Sequence, residues 1–491
     1  MRMNRTLIGL STALLLWGPG AAFAEPAPVA QSAQQETQAA SDFEALRSEV
    51  KRLREELDAL KKVRPEAAAE PAPAPVETSQ LEERLDLLEE KQKDAVVAGD
   101  LPGSIRVPGT ELSLRPYGFA ELNWIHDFET DNSDIDYATF APYLPLNGTP
   151  EGNRKGRDYF TGRTSRIGLE AGLPTRFGML GAKIEGDFNN EPRTGDTAQY
   201  GSPRNVITQQ QTSSYGFRLR HAYGQFGGLL IGQTWSTFMD VDNFPETVDF
   251  NGPVGGTIVR QPQIRFSYAT PSAGTFTAAL ENSSSYVLDD EGAVMASSLS
   301  RFPDIIVRWD KGFQGGALSV RAMTQELRVK DGEDVEATRR GWGAAASALV
   351  KIRGSDFLTL AVTGGEGIGR YLNYIEGAFY DAGADRIQIE RAIGFVVGYQ
   401  LKPADWVRIN FAYGMTRNFD NAYTEAIEAN GLDTGRFGIN RWVQQAHVGP
   451  IFTPMKGVDL GLEAIWARRK TLIGETGDMA RLNFMARYYI N

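Results

Sequence analysis

Residues 213–237, SSYGFRLRHAYGQFGGLLIGQTWST, contain a quartet in which two arginines alternate with two large apolar residues. Successive side chains of a β-strand leave opposite faces of the sheet. A strand here places Arg218 and Arg220 on one face, and on the other face it places Phe217, Leu219 and Tyr223. The charged face meets water either in a half-exposed soluble sheet or inside a membrane barrel.

The same alternation recurs throughout residues 111–491, where turn residues separate sixteen period-two segments. Ile264, Phe266 and Tyr268, for example, share a face opposite Arg265. The predicted strands are 111–128, 164–173, 180–189, 215–226, 229–240, 259–270, 275–285, 303–312, 317–330, 341–352, 356–370, 389–402, 406–419, 440–453, 458–471 and 479–490.

The connections between these strands alternate in kind. Short turns, such as GG at 227–228 and PAD at 403–405, alternate with mostly longer loops rich in Gly, Asn and Asp. Short turns at one end, long loops at the other and an even strand number are typical of outer-membrane barrels. We therefore predict an all-β fold, a 16-stranded antiparallel transmembrane β-barrel with a short N-terminal α-helical coiled-coil segment. The alternative is a soluble two-layer sandwich that buries the same apolar, aromatic face.

The residues before the barrel divide by composition. A basic start, an apolar core and small residues at Ala22 and Ala24 indicate a signal peptide. Apolar residues with heptad spacing, Phe43, Leu46, Val50, Leu53, Leu57 and Leu60, indicate a coiled coil or a lone amphipathic helix. The predicted organisation is signal peptide 1–24, disordered N-terminus 25–41, coiled-coil segment 42–64, Ala/Pro-rich linker 65–80, short helical segment 81–96, linker 97–110 and barrel 111–491.

Composition narrows the chemistry. The chain has no cysteine and only three histidines, in no ligand-like spacing, so neither a metal nor another cofactor is predicted. Its net charge of −11 argues against nucleic acid as a partner. A mean hydropathy of −0.32 fits either a soluble protein or a barrel with a wet lumen. No catalytic motif occurs, and no enzyme activity is predicted.

Four stretches of the barrel region resemble the DcaP-like family of trimeric Gram-negative outer-membrane porins. They are LRPYGFAELNWIHDF (114–128), GRTSRIGLEAG (162–172), FRLRHAYGQFGGLLIGQTWSTF (217–238) and NFPETVDFNGP (243–253). The resemblance also covers the order of signal peptide, heptads, Ala/Pro spacer and barrel. It implies trimers of sixteen-stranded barrels that take up small, preferably anionic solutes such as dicarboxylates. It also implies outer-membrane lipid as surroundings and the helical segment in the periplasm.

Two sets of residues are candidates for the pore. Alternation places eight arginines on the lumen side, where they favour anions: Arg115, Arg166, Arg218, Arg220, Arg265, Arg308, Arg321 and Arg408. The other reading is that these arginines only pair with acids of the same wall: Glu121, Glu170, Glu185, Asp187, Glu281 and Asp310. The long segment 238–256 lies where porins fold a constriction loop inward, and the alternative is an external loop. Its acidic residues are Asp240, Asp242, Glu246 and Asp249.

The sequence thus predicts a porin that lets small, anionic solutes diffuse passively through a water-filled channel. An outer-membrane barrel that acts mainly as an anchor or tether to the periplasm is the first alternative. A barrel enzyme is the second, and it would need a serine and a histidine together at the lipid boundary.

Overall fold

The computed structural model describes residues 45–59, 82–89, 97–130, 138–190, 216–332, 335–372, 377–432, 435 and 438–490. These residues form two compact units. One contains the described residues of 117–168 and 183–491, and the other contains those of 45–116 together with 169–182.

Sixteen antiparallel strands form a closed barrel, as the sequence predicts. They are β3 (Ser113–Asp127), β5 (Arg166–Thr175), β6 (Gly178–Asp187), β7 (Arg218–Phe226), β8 (Leu229–Trp235), β9 (Arg260–Thr270), β10 (Gly274–Glu281), β11 (Asp304–Phe313), β12 (Gly316–Lys330), β13 (Glu336–Lys351), β14 (Phe357–Glu366), β17 (Arg391–Ala404), β18 (Val407–Phe419), β19 (Asn440–Met455), β20 (Val458–Thr471) and β21 (Thr476–Ile490). Five shorter strands are β1 (Val97–Ala98), β2 (Ile105–Arg106), β4 (Arg157–Thr161), β15 (Ala378–Asp381) and β16 (Arg386–Ile389).

The barrel closes where the last strand pairs with the first. β21 pairs antiparallel with β3, and Phe484 lies opposite Trp124. Burial alternates from residue to residue along each strand, because one face of a barrel wall contacts lipid and the other faces the lumen. Ile264, Phe266 and Tyr268 are exposed on the outer face of β9, while Gln261 and Gln263 of the same strand are buried on the inner face.

The alternation breaks within β7, the strand that contains the opening quartet. Arg220 and the next residue, His221, both approach the carboxylate of Glu185, at 2.7 and 3.7 Å. The ring of Tyr223 lies 6.5 Å from that of His221. Strict alternation, which groups Tyr223 with Phe217 and Leu219, is therefore wrong beyond Arg220.

Two helices precede the barrel, α1 (45–59) and α2 (82–89). They pack through five apolar side chains: Val50, Leu53, Leu57, Leu85 and Leu88. Arg84 pairs with Glu49 and Arg54 with Glu89, both at 2.8 Å, and both pairs are 35 residues apart. The helices therefore run parallel, and three of the heptad residues, Val50, Leu53 and Leu57, contact a segment of the same chain. Phe43 and Leu60 lie outside the described residues. None of the helices in the described ranges is long and apolar enough to cross a membrane.

Several strand ends differ from the predicted ones because the chain leaves the wall to form loops that fold into the barrel. β8 ends at Trp235 rather than 240, and β14 ends at Glu366 rather than 370. The long loops also contain elements that the sequence does not predict, and two of them pack together. These are the hairpin β15–β16 and helix α3 (Ala422–Ala429), which pack together through Phe379, Tyr423 and Ile427.

Candidate pore and the loops inside it

The segment between β8 and β9, residues 236–259 and here named the inner loop, lies inside the barrel. Most of its residues are buried. At its start, Asp240 lies 3.3 Å from a guanidinium nitrogen of Arg308 on β11 and 3.8 Å from one of Arg321 on β12. The carbonyl oxygen of Met239 accepts a hydrogen bond of 2.7 Å from Arg308. This end of the loop is therefore fixed to the inner face of β11 and β12.

The middle of the inner loop reaches a different part of the wall. Glu246 accepts hydrogen bonds of 2.7 and 3.0 Å from Arg408 on β18. The backbone N–H groups of Val248 and Asp249 each donate to the carboxylate of Glu463 on β20, at 2.9 Å. Because the loop leaves β8 and contacts β11, β12, β18 and β20, it crosses the lumen.

Glycines allow this close approach between loop and wall. A Cβ atom on Gly414 of β18 would lie 1.9 Å from the carbonyl oxygen of Val254. One on Gly398 of β17 would lie 2.4 Å from the Cβ of Pro245. Both distances are too short for real atoms, so any larger residue at these wall positions would displace the loop.

Two further loops turn inward and contact the inner loop. In the first, of which residues 128–130 and 138–156 are described, Thr139 donates to Asp249 from its backbone N–H at 2.8 Å and from its hydroxyl at 2.7 Å. In the second, between β14 and β15, the ring of Tyr371 lies 5.6 Å from that of Phe238. Tyr371 also donates a 2.5 Å hydrogen bond to Asp304 of the wall. The three loops together occupy the lumen beside β11–β14 and β17–β21.

A cavity of about 120 Å³ remains on another side, between the inner loop and strands β7 to β9. We name it the arginine pocket. It is lined by Arg218, Arg220, Trp235, Met239, Phe244, Pro245, Thr247, Phe250, Asn251, Gly252, Ile258 and Arg260. Three cations and three aromatic rings therefore surround a small space.

Two of the three arginines are held by carboxylates of β6. Arg218 donates two hydrogen bonds to Asp187, at 2.9 and 2.8 Å. Arg220 donates to Glu185 at 2.7 Å and to Asp187 at 2.9 Å. Planar bidentate pairs of this kind fix both partners. Arg220 and Asp187 are almost completely buried, so the pairs are also part of the packing of this wall.

Arg260 differs from these two. Its guanidinium carbon lies 4.5 Å from the centre of the Trp235 ring. Its Nη1 atom is buried and has no hydrogen-bond partner among the described residues. A buried guanidinium nitrogen without a partner leaves donor capacity for an incoming anion.

A model of the family described as DcaP outer membrane protein matches residues 88–490 of the chain. This chain belongs to the DcaP outer membrane protein family. Among solved structures, the outer membrane channel DcaP of Acinetobacter baumannii is similar at a TM-score of 0.63 and 25% identity, over 77% of this chain and 97% of that one.

More distant likenesses concern the fold alone. OmpF of Salmonella typhi in complex with daunomycin gives a TM-score of 0.48 and 9% identity over 79% of this chain and all of that one. The anion-selective porin from Comamonas acidovorans gives 0.43 and 14% over 77% of this chain and all of that one. No curated protein matches the chain. Family and fold place this DcaP-family barrel in the outer membrane as a channel protein.

The candidate arginines of this family member lie in several places. Arg115 lies in the second compact unit, where it pairs with Glu170. Arg166 lies 3.5 Å from Glu185, near Arg220. Arg265 is half-buried on β9 and has no ion pair with a described residue. Arg308, Arg321 and Arg408 contact the inner loop.

The four acidic candidates also separate. Asp240 and Glu246 face wall arginines, whereas Asp249 receives hydrogen bonds from Thr139 and Asn251 and Asp242 is exposed. Sequence reasoning missed Arg260, because alternation from Arg265 assigns an even-numbered residue of β9 to the lipid side. The signal in the sequence that could have identified Arg260 is its position next to the end of the inner loop.

The histidines make ordinary polar contacts. His126 lies 2.9 Å from Asp158, His221 3.0 Å from Thr234 and His447 3.1 Å from Glu463, each through Nδ1. Within the described residues, no group of three or more potential ligands could hold a metal ion.

Proposed function

We propose that this channel protein is a porin for passive diffusion of small anionic solutes such as dicarboxylates, which pass the arginine pocket. The observation that carries the proposal is a buried guanidinium nitrogen of Arg260 that has no hydrogen-bond partner among the described residues. This guanidinium lies against Trp235 and beside Arg218 and Arg220. A guanidinium can hold a carboxylate at two points and remains charged at any working pH.

The three inward loops support this route. They fill the lumen near β11–β14 and β17–β21, and they leave the arginine pocket on the side of β7 to β9. We propose that the inner loop is the constriction of the channel. Charges act over about 8 Å at physiological ionic strength, so groups at the narrowest section dominate selectivity.

The test is the reversal potential of the purified protein in a planar bilayer under a salt gradient. We expect anion preference, and we expect succinate to reduce the chloride current by competing in the pocket. In Arg260→Gln the reversal potential should move toward cation preference, and succinate should compete less well. Arg340→Gln is the matched control, because Arg340 is exposed on β13 and lies outside the pocket.

A protein that conducts with no ion preference, or an Arg260→Gln variant with unaltered selectivity, would contradict the anion route. A folded barrel that never conducts would instead favour the anchor. Hydrolysis of a lipid substrate would favour an enzyme.

We further propose that the protein is a homotrimer and that residues 1–24 are a cleaved signal peptide. The chain enters β3 from the end that carries the short turns, which is the periplasmic end of outer-membrane barrels. We therefore also propose that α1 and α2 lie in the periplasm.

A further inference from the structure

The outer face of β17, β18, β19 and β20 carries an apolar groove that is unrelated to the lumen. Its volume is about 450 Å³. Ala446 forms part of its floor and is paired across the sheet with Tyr413 on one side and Trp466 on the other. Ala464 lies opposite Val448 one step further along. Small residues between larger side chains therefore leave a recess on this face, which an acyl chain can enter.

A pair of cations lies on the same face, nearer the long-loop end of the strands. Arg417 of β18 and Lys470 of β20 are paired across the sheet with the same residue of β19, Trp442. Arg417 is exposed and Lys470 half-exposed, and neither makes an ion pair with a residue that the structure describes. The adjacent Arg468 is paired with Asp478 and adds no net charge.

The groove and the pair of cations lie at different depths in the membrane. Arg417 and Tyr413 are four residues apart on one strand, so their Cα atoms are separated by about 13 Å along it. Tryptophan at such a level is typical of the membrane–water interface, and long basic side chains there extend toward the polar headgroups. The long-loop end of the barrel faces the outside of the cell. The cations are therefore at the level of the outer-leaflet headgroups, and the groove lies below them at the level of the acyl chains.

We propose that this face is a binding site for a phosphorylated glycolipid of the outer leaflet, the lipid A part of lipopolysaccharide. One acyl chain lies in the groove over Ala446 and Ala464, and a phosphate group lies between Arg417 and Lys470. The charge of the two cations selects this occupant over an uncharged one, and the groove selects an acylated molecule over a free phosphate.

The experiment measures lipid that stays bound to the full-length protein. The protein is reconstituted in nanodiscs of neutral phospholipid with a small fraction of lipopolysaccharide, transferred to mild detergent and weighed by native mass spectrometry. We expect one lipopolysaccharide per protomer. Arg417→Gln with Lys470→Gln should weaken binding about 25-fold, because each cation near an anionic lipid contributes one factor of about five. Ala446→Phe fills the groove and should lower occupancy without a change in charge.

Matched variants separate the site from general effects. Arg339→Gln with Arg340→Gln removes two exposed cations from β13, at the same end of the barrel, and should leave binding unchanged. Ala344→Phe adds the same ring to an exposed position of β13 and should also have no effect. Equal losses in test and control variants would overturn the proposal, as would equal retention of a neutral phospholipid. Loss of oligomer mass in Ala446→Phe with lipid retained would overturn it too and would identify the groove as a subunit contact.

Discussion

The arginines of the lumen wall have two different roles, and stability separates them. Arg220 is buried between Glu185 and Asp187, so its replacement leaves two buried carboxylates with fewer partners. We predict that Arg220→Gln lowers the free energy of unfolding by about 3–5 kcal/mol, the usual cost of breaking a buried ion pair. Urea unfolding in detergent micelles measures it.

Two companion variants test this assignment. Arg260→Gln has no described acid to leave unpaired and should unfold like the wild type. Arg220→Gln combined with Glu185→Gln should recover part of the loss, because one carboxylate charge is removed together with the guanidinium. If Arg220→Gln is as stable as Arg260→Gln, the pairs do not support the wall.

We predict that the stability of the protein depends on pH because of Glu390, which lies in the loop between β16 and β17. Burial raises the pKa of Glu390 well above its ordinary value of 4.5, and backbone N–H groups nearby offset only part of that effect. The stability that a carboxyl with raised pKa contributes is fully present below the unfolded pKa, and it is lost as pH rises through the folded pKa. Glu390→Gln should therefore melt at a higher temperature than the wild type at pH 8, and the difference should shrink toward pH 4.5.

Thermal melting at both pH values measures this difference. Glu291→Gln, on an exposed loop, is the control and should follow the wild type at each pH. A variant of Glu390 that melts with the wild type at pH 8 would show that its carboxylate is accommodated as the anion.

For single residues, the sequence predicts the face of the sheet on which a side chain lies better than it predicts the residue with which that side chain pairs. Period two places Arg218, Arg220, Arg308 and Arg408 on the inner face, because one face of each strand must be apolar. It does not predict that Glu185 and Asp187 neutralise the first two, since that depends on the register between β6 and β7. Arg260 escapes the pattern because it lies at a strand end.

The inner loop is the element with the clearest effect on conductance. Deletion of residues 242–252 removes Glu246 and Asp249 but keeps Asp240 with Arg308, and Arg408 keeps Asp459 at 3.1 Å. Arg308 and Arg408 thus stay paired while the obstruction is removed, and single-channel conductance should rise. Deletion of the exposed residues 290–292 is the control. Equal conductance in both deletions would mean that the inner loop does not set the narrowest section.

A single methyl group should displace the same loop. In Gly414→Ala the new Cβ would lie 1.9 Å from the carbonyl oxygen of Val254, so either the loop or β18 must move. We expect altered conductance and noisier open-channel current in bilayer recordings. Gly364→Ala is the matched control, because its Cβ would lie 3.4 Å or more from its neighbours. Identical traces for the two variants would show that the contact is easily relieved.

The strands can be predicted from the sequence, whereas the paths of the long loops cannot. The strands are predictable because lipid imposes a local, repeated pattern. The inward course of residues 138–156 and of the loop after β14 depends on contacts that are not local. Apolar runs such as APYLPL (141–146) were nevertheless unusual for exposed loops. Ala141 and Leu144 of this run are buried against β19, β20 and β21, which lie far away along the chain.

At the scale of the whole molecule, the apolar outer face of the barrel can contact either lipid or another subunit. The oligomeric state determines which parts of this face contact lipid. We predict a trimer, with the barrel walls supplying most of the interface and residues 42–62 a smaller part. In the described part of the chain, α1 uses Val50, Leu53 and Leu57 to pack against α2. Deletion of 42–62 removes the smaller part of the predicted interface. It should therefore lower the temperature at which the trimer dissociates, but the trimer should still form.

Mass measurement in mild detergent tests this prediction, with a protomer of 53.9 kDa before any processing. The intact protein should give three protomer masses, and so should the deletion variant at low temperature. A matched variant, Leu53→Ala with Leu57→Ala, keeps the length of the segment but removes two apolar contacts of α1. It should dissociate at a temperature between those of the other two proteins. Monomers from the intact protein would contradict the trimer, and monomers from the deletion variant alone would move the main interface from the barrel wall to the helices.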